Sequence, residues 1–597
     1  MYQKFTKSFS KLNSKEKVEK LRQVLTKKKL DGFIIPHNDR FQGEFLSYED
    51  LRLEWISGFS GSAGLAIIMK DKAAIFVDGR YEKQSTLEVD NKIFETIPIS
   101  DLTINGWINN NYKDLKIRIG FDPWLFSVTH FYEIKINLNN NIILKPSSNL
   151  IDIVWKNKEK EVKNDFFIHP LKYSGLKKEK KIEVILNEME ENYDCILFTK
   201  PESICWMLNI RGKDYPHNPL LKSYAILYKN GLLDLFLDLS KLNLKIKKFL
   251  NNVSFIDIEN FETFLSKANN NPIRIDSSTC PFAIDIIAKK NNIKLIDKKY
   301  PCISKKAIKN STEIKNAKFA HIIDGLAFTN FLYWLEKINK KNLDEITIIK
   351  KLEDFRRKTN KLEDISFDTI CGSGPNGAII HYRANKNSNR NIKKNEILLI
   401  DSGGQYKEGT TDITRTITFG KVTPDFKKNY NAVLKGMINL SKFKWPIGLS
   451  GKELDVIART PLWERNLDYN HGTGHGVGSF LSVHEGPQSI SKKSEVIILP
   501  GMIISNEPGY YENGKYGIRI ENILLVKKDP NFTNKKLSLM FETLTLVPIS
   551  TDLIDKNILN QEEINWINNY HEKVFKTYEK YLDSEKKKWL RNKCKKI

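Results

Sequence analysis

Apolar residues near the start of the chain recur at helical spacing. Val18, Leu21 and Leu25 fall on one face, and Ser14 is the expected N-cap. The pattern then changes. "LDGFIIP" reads as a strand, and "WISGFSGSAGLAIIMKDKAAIFVDGRY" as a glycine-rich turn, a strand, a short polar turn and another strand. The same order returns about 150–160 residues later, the mark of an internal repeat. "IEVILNEM" is helical, "YDCILFTKP" a strand, "SICWMLNIRG" matches the Trp55 region, and "SYAILYKNGLLDLFLD" is strand, turn, strand. Asp78 and Asp238 end equivalent strands. Two similar α/β domains follow from this, divided near the polar run "WKNKEKEVKND" at 155–165.

A third segment opens with a long helical pattern, "STEIKNAKFAHIIDGLAFTNFLYWLE", with Ser311 as its expected cap and Glu313 in its first turn. Strands and helices then alternate. Thr423 as N-cap and Pro424 at N1 start "TPDFKKNYNAVLKGMINL", and "SGKELDVIARTPLWER" is a second amphipathic helix. From about residue 540 a mostly helical appendix is expected. The resulting division is 1–158, 159–310, 311–535 and 536–597, in keeping with 597 residues at roughly 100–200 per domain.

Composition adds little to this. Hydrophobic residues make up 40% and charged residues 28%, a soluble profile. "MYQKFTKSFSKLNSKEKVEK" lacks the apolar core of a secretory signal, and no apolar run approaches the ~20 residues of a membrane span. The six cysteines form no CxxC pair, so reduced thiols in a cytoplasm are expected. A net charge of +24 raises the question of nucleic acid. The lysines are dispersed among acids, however, and asparagine runs such as "NLNNN" point to a Lys/Asn-rich proteome instead.

The chemistry concentrates in the third segment. Asp401 ends the apolar strand of "ILLIDSGGQY", and Asp412 starts the alternating strand of "TTDITRTITFG". Glu507 ends the apolar run of "MIISNEPGYY", and Glu521 interrupts "GIRIENILLV". An unpaired carboxylate in such surroundings costs several kcal/mol. Either Arg415, Arg519 and nearby lysines pair these acids, or cations do. Four carboxylates balance two divalent ions, which bridging carboxylates can hold roughly 3.5–4 Å apart. "HGTGHGVGSFLSVHEGP" adds His471, His475 and His484. The glycines between His471 and His475 disfavour a helix, so a shared His-x₃-His zinc site is not expected. One of these histidines would be a ligand and the others would face substrate. Oxygen-rich ligands with one nitrogen favour Mn²⁺ over Zn²⁺. His381, in "GSGPNGAIIHYRA", also ends an apolar run.

At these residues the chain resembles aminopeptidase P (Xaa-Pro aminopeptidase), in its long three-domain cytosolic form. "GFSGSAG" with "DGRY" resembles the first domain of that family and "ICWMLNIRG" the second. "GPNGAIIHYRA", "DSGGQY", "TTDITRT", "HGTGHGVGSFLSVHEGP", "SNEPGYY" and "GIRIEN" resemble its catalytic domain, while "FETLTLVPI" and "WINNYHEKV" resemble its C-terminal extension. The resemblance implies an α/β fold: two creatinase-N-like domains, a pita-bread metallopeptidase domain and a helical C-terminal extension. It implies Asp401, Asp412, His475, Glu507 and Glu521 as ligands of two divalent ions, Mn²⁺ first with Zn²⁺ and Co²⁺ as alternatives. It further implies His381, His484 and Glu507 as catalytic residues, and His381, His471, His484, Tyr511 and Arg519 against the substrate.

The implied reaction is hydrolytic removal of an N-terminal residue that precedes proline. The implied setting is a cytoplasmic homodimer with peptide substrates, no nucleic acid and no membrane. The loop "PHNDRFQGEFLSYEDLR" would reach over the active site within that dimer. The alternatives are weaker. Prolidase shares the five ligands but is usually shorter, methionine aminopeptidase lacks the N-terminal domains, and creatinase-like members lack the ligands. A non-catalytic binder on the same scaffold would have lost the ligands that are intact here.

Overall fold

The computed structural model describes the whole chain except residues 7, 10, 160–161, 268–271 and 531–537, and Lys11 by its backbone alone. Part of the polar run at 155–165, and the expected boundary at 535/536, therefore lie outside the described residues. The chain forms two compact units. One comprises residues 7–169 and 176–303; the other comprises 1–6, 170–175 and 304–597.

The first of these units contains two six-stranded sheets built alike. In spatial order the strands of one are Glu95–Pro98, Ala73–Val77, Leu65–Met69, Gly32–Pro36, Ile117–Phe121 and Ile142–Pro146. Those of the other are Val253–Asp257, Leu233–Leu237, Tyr224–Tyr228, Cys195–Phe198, Ile273–Ile275 and Leu295–Asp297. Numbered along the chain, both sheets run 4-3-2-1-5-6. The two repeats also bind each other reciprocally. Val128 N–H donates to the Cys280 carbonyl and Phe282 N–H to that of Phe126; Thr129 pairs likewise with Ser277, and Ala283 with Pro123. Phe131 and Phe282 stack across the junction with ring centroids 3.6 Å apart. Joined backbones and a shared aromatic core make one compact unit of two domains.

The other unit repeats the order helix, helix, strands. Helices Ser311–Lys337 and Glu345–Arg357 precede the strands Ile370–Ser373, Ile397–Ser402 and Ile413–Thr418, which form one antiparallel sheet. Helices Pro424–Lys442 and Gly451–Trp463 precede Ile503–Asn506 and Asn522–Lys528, which share a sheet with Ser538–Thr543 and Lys444–Pro446. Phe328 and Phe331 of the first helix pack with Ile348, Leu352 and the strand residues Leu398–Ile400. Val433, Leu434 and Met437 of the third pack with Ile518, Ile520 and, from the C-terminal helix Gln561–Tyr578, Ile567, Val574 and Tyr578. The appendix begins with a strand, passes a 3₁₀ turn at Thr551–Leu553 and continues as α-helices at Gln561–Tyr578 and Ser584–Lys593; the first of these helices completes the core of this unit.

Two expected caps move by one residue. A 3₁₀ turn at Lys11–Asn13 leads directly into the helix Ser14–Lys27, so Asn13 occupies the N-cap and Ser14 is already helical. The long helix is capped by Asn310, not Ser311. The Asn310 side chain accepts from the N–H groups of Thr312 and Glu313, and Glu313 accepts from Asn310 N–H in return. A glutamate three residues after asparagine completes a capping box that Ser311 could not form. Thr423 does cap its helix, accepting from Phe426 N–H at 3.2 Å with Pro424 at N1. All six cysteines are buried and free. Among the described residues no helix is long and apolar enough to cross a membrane.

His571, on the C-terminal helix, is fully buried and accepts Ile549 N–H through Nε2 at 3.2 Å. Burial, helped by the Arg415 charge, pushes its imidazole from the ordinary 6.5 down to about 4. The folded protein therefore keeps it neutral while the unfolded chain takes up a proton below 6.5, and stability falls with pH between those two values. This one group should remove roughly 2 kcal/mol between pH 7.5 and 5. His571→Gln keeps an acceptor but not the titration. In urea unfolding the wild type should lose that much more than the variant over this range; parallel losses contradict the assignment.

Candidate metal centre

Four strand ends and one short hairpin bring the acids together. Asp401 lies opposite Thr414 in the pairing of Ile397–Ser402 with Ile413–Thr418, and Asp412 immediately precedes the second strand. Glu521 lies between Tyr516–Arg519 and Asn522–Lys528, with its N–H on the Thr414 carbonyl at 3.1 Å. Glu507 follows Ile503–Asn506, and its N–H reaches the Thr473 carbonyl at 2.8 Å. His475 belongs to Gly474–His475, paired with Ser489–Ile490. A Cβ at Gly474 would sit 1.9 Å from the Ser505 carbonyl oxygen, and one at Gly476 would sit 2.1 Å from that of Glu485. The glycines flanking His475 thus let two backbones close on it, which is what the glycine-rich run is for.

One ligand atom each from Asp412, His475 and Glu521 lies within 4.8 Å of the others. His475 Nε2 is 3.3 Å from Glu507 Oε1 and 3.5 Å from Asp412 Oδ2. Its Nδ1 lies 3.0 Å from the Gly476 carbonyl. A carbonyl only accepts, so Nδ1 carries the proton of the neutral ring and Nε2 offers a lone pair to the acids. Burial, then the charges of Asp401 and Glu507, pushes the Asp412 carboxyl well above its ordinary range. Burial, then Asp412, Glu507 and Asp401, does the same to Glu521. Burial also raises Glu507, with His475 and Arg519 pulling against it.

Asp401 Oδ1, Asp412 Oδ1 and Glu521 Oε1 are buried and accept no hydrogen bond from the described residues. Lone-pair atoms converging in a buried space without donors suit divalent cations, so the donor set fits a metal centre of oxygen ligands and one imidazole.

Arg519 is the cation built into this cluster. It holds Asp401 Oδ2 at 2.6 Å, Tyr511 Oη at 2.5 Å and the Ile380 carbonyl at 3.4 Å. Burial pushes Tyr511 up to about 12, so it stays a phenol. Tyr511 Oη is 2.9 Å from His471 Nε2, and His471 Nδ1 is 2.8 Å from the Gly472 carbonyl. A chain of hydrogen bonds thus runs from Arg519 through Tyr511 to His471. The His484 ring lies 4.4 Å from that of His475, nearly perpendicular to it. His381 follows Ile380, whose carbonyl accepts from Arg519. The residue after it, Tyr382, donates to the buried Glu345 carboxylate, which also receives Ser373 N–H, Arg390 N–H and the Asn376 amide.

Several contributing residues carry no obvious signal in the sequence. Thr414 donates to Glu521 Oε2 at 3.0 Å and accepts from Arg519. Ser505 donates to Glu507 Oε1 and accepts His475 N–H. Arg459 holds Asp455 and the His471 carbonyl, each at 2.7 Å. The alternation "TTDITRT" hints at Thr414, which shares a strand face with Asp412. Arg415, one of the cations that could have paired these acids in place of metal, donates to the backbone carbonyls of Thr414, Glu521, Val547 and Pro548, and to Asn522 and Tyr570. Strand alternation points it away from the face that carries Asp412 and Thr414.

Comparison with known proteins identifies the family. Metallopeptidase family M24 matches residues 315–528, and the C-terminal region of peptidase M24 matches 538–597. The creatinase/prolidase N-terminal domain matches twice, at 17–154 and 157–313. Xaa-Pro aminopeptidase 1 of Dictyostelium discoideum is 37% identical over 610 residues, covering 97% of this chain and 96% of its own. The chain belongs to the Xaa-Pro aminopeptidase family. As a member of that family it is a metalloaminopeptidase, with creatinase-type N-terminal domains and a pita-bread catalytic domain. The crystal structure of X-prolyl aminopeptidase from Caenorhabditis elegans, described as a cytosolic enzyme with a di-nuclear active site, superposes with a TM-score of 0.92 at 31% identity, over 98% of this chain and 100% of that one. Xaa-Pro dipeptidase from Bacillus anthracis gives 0.51 at 25% identity, over 62% of this chain and 99% of its own.

Arg519→Met leaves Asp401 buried beside three other carboxylates without its cation. In metal-free protein this should cost about 3–5 kcal/mol, read as a lower urea midpoint; an unchanged midpoint contradicts the pairing.

Proposed function

We propose that the chain removes the N-terminal residue from peptides with proline at position two, by hydrolysis at a centre of two divalent ions. The reading rests on the cluster of Asp401, Asp412, His475, Glu507 and Glu521, in which the buried, orphaned oxygens of Asp401, Asp412 and Glu521 fit cations. These five residues would hold the ions. Mn²⁺ is the first choice for an oxygen-rich set with one imidazole, with Zn²⁺ and Co²⁺ as alternatives. When bound, the ions supply Lewis acidity: they make water a nucleophile near neutral pH and polarise the scissile carbonyl.

The chain's own groups do the rest. Glu507, 3.3 Å from His475 Nε2, takes the proton of the attacking water. His381 and His484 donate to the peptide and to the oxyanion as it forms. The proline nitrogen has no N–H and must gain a proton to leave, and Glu507 returns the one it took. His471, held by Tyr511 and Arg519, lines the proline side. In the same reading the protein is a cytoplasmic homodimer acting on peptides, not on nucleic acid or membranes. It is divided at 158/159, 310/311 and 535/536.

Purified protein incubated with Arg-Pro-Pro, with and without Mn²⁺ and beside the dipeptide Arg-Pro, tests the reading. Metal-dependent release of arginine from the tripeptide, with little from the dipeptide, is expected. Cleavage of the dipeptide alone would assign a prolidase, and cleavage of neither by metal-loaded protein would overturn the substrate class. Glu521→Ala should abolish activity and release metal; an active, metal-loaded variant removes Glu521 from the ligand set.

A further inference from the structure

Beside the candidate site, one buried carboxylate sits between two buried ammonium groups. Glu485, Lys306 and Lys309 are each less than a tenth exposed. Glu485 Oε2 is 3.1 Å from Lys306 Nζ, and Oε1 accepts from Lys309 Nζ. Lys309 Nζ also donates to the Lys306 carbonyl at 2.8 Å, and Lys309 N–H to the Gly501 carbonyl at 2.9 Å. Lys309 is therefore fixed in turn by backbone.

A buried ionic cluster is a poor device for stability, because well-packed apolar residues do as well or better. Its value lies in the geometry it enforces. Glu485 follows His484 directly. Its own N–H binds the Gly476 carbonyl at 2.8 Å, and Gly476 follows His475. Gly476 N–H in turn reaches the Gln488 carbonyl at 3.1 Å. The chain is thus gripped twice at the same residue: by its backbone to the residue after one histidine, and by its side chain to Lys306 and Lys309. Between those grips the two imidazoles stand with centroids 4.4 Å apart.

We propose that Glu485, clamped by Lys306 and Lys309, is a positioning residue that fixes the His484 ring relative to His475. The role rests on the reading that His484 acts on the substrate. Glu485 touches neither substrate nor metal. It acts on the turnover step by holding His484 where the oxyanion forms.

A double-mutant cycle tests this. His484→Ala, Glu485→Gln and the double variant are assayed with Arg-Pro-Pro after each is shown to be folded and to carry wild-type metal content. Glu485→Gln should lower kcat about 10-fold while KM moves less than about 3-fold, and it should add little once His484 is gone. A merely structural residue would lower the unfolding midpoint and leave kcat per metal-loaded molecule unchanged. Lys309→Met keeps the Glu485–Lys306 pair and covers failure of Glu485→Gln to fold; it should give a smaller kcat loss with the same non-additivity. If His484→Ala is impaired and Glu485→Gln is not, or if their effects multiply, the positioning role is wrong and the site reading stands. If His484→Ala retains full activity, the site reading fails and takes the positioning role with it.

Discussion

Four carboxylates meeting in one buried pocket repel one another, and the catalytic unit is arranged around holding them there. Burial and mutual charge raise Asp412, Glu507 and Glu521. Arg519 neutralises one acid directly, at 2.6 Å from Asp401. Thr414 and Ser505 each hold one carboxylate oxygen of the cluster. The oxygens left without donors point to cations as the missing positive charge. Such a cluster is stable only if its supports are rigid. Accordingly each acid sits at the end of a strand, or beside one, whose backbone is paired through the sheet.

The same need for rigidity explains the histidine shell. His475 is fixed by the Gly476 carbonyl on one nitrogen, which leaves the other to face the acids. Its flanking glycines allow backbone approaches that any side chain would block. His471 is held through Tyr511 by the arginine that pairs with Asp401. Electrostatics and orientation are therefore linked: the charge that stabilises an acid also aims an imidazole. The residues after His381 and His484 are each anchored in a buried polar network, centred on Glu345 and on Glu485.

Much of this could be read from the chain, for definite reasons. The internal repeat showed in its strand–turn–strand pattern, and the two sheets share one strand order. Thr423 with Pro424 announced a helix start because both signals are local. The acids were conspicuous because charge inside apolar strand sequence is rare. Pairings set by tertiary contact were not legible. Asn310 displaced Ser311 as a cap because its box with Glu313 starts one residue earlier. The alternative in which Arg415 pairs an acid fails because strand alternation turns it toward backbone carbonyls, those of Val547 and Pro548 among them. Glu485 shows no periodicity that predicts a lysine partner 176 residues away.

We take the carboxylate cluster to be a two-ion centre. Crystals of the protein grown with Mn²⁺ and measured at the manganese absorption edge test it most directly. Two anomalous peaks per chain, within coordination distance of Asp401 Oδ1, Asp412 Oδ1 and Glu521 Oε1, are expected. No peak there in crystals of protein that cleaves Arg-Pro-Pro with Mn²⁺, or a peak bound by other residues, would contradict the account.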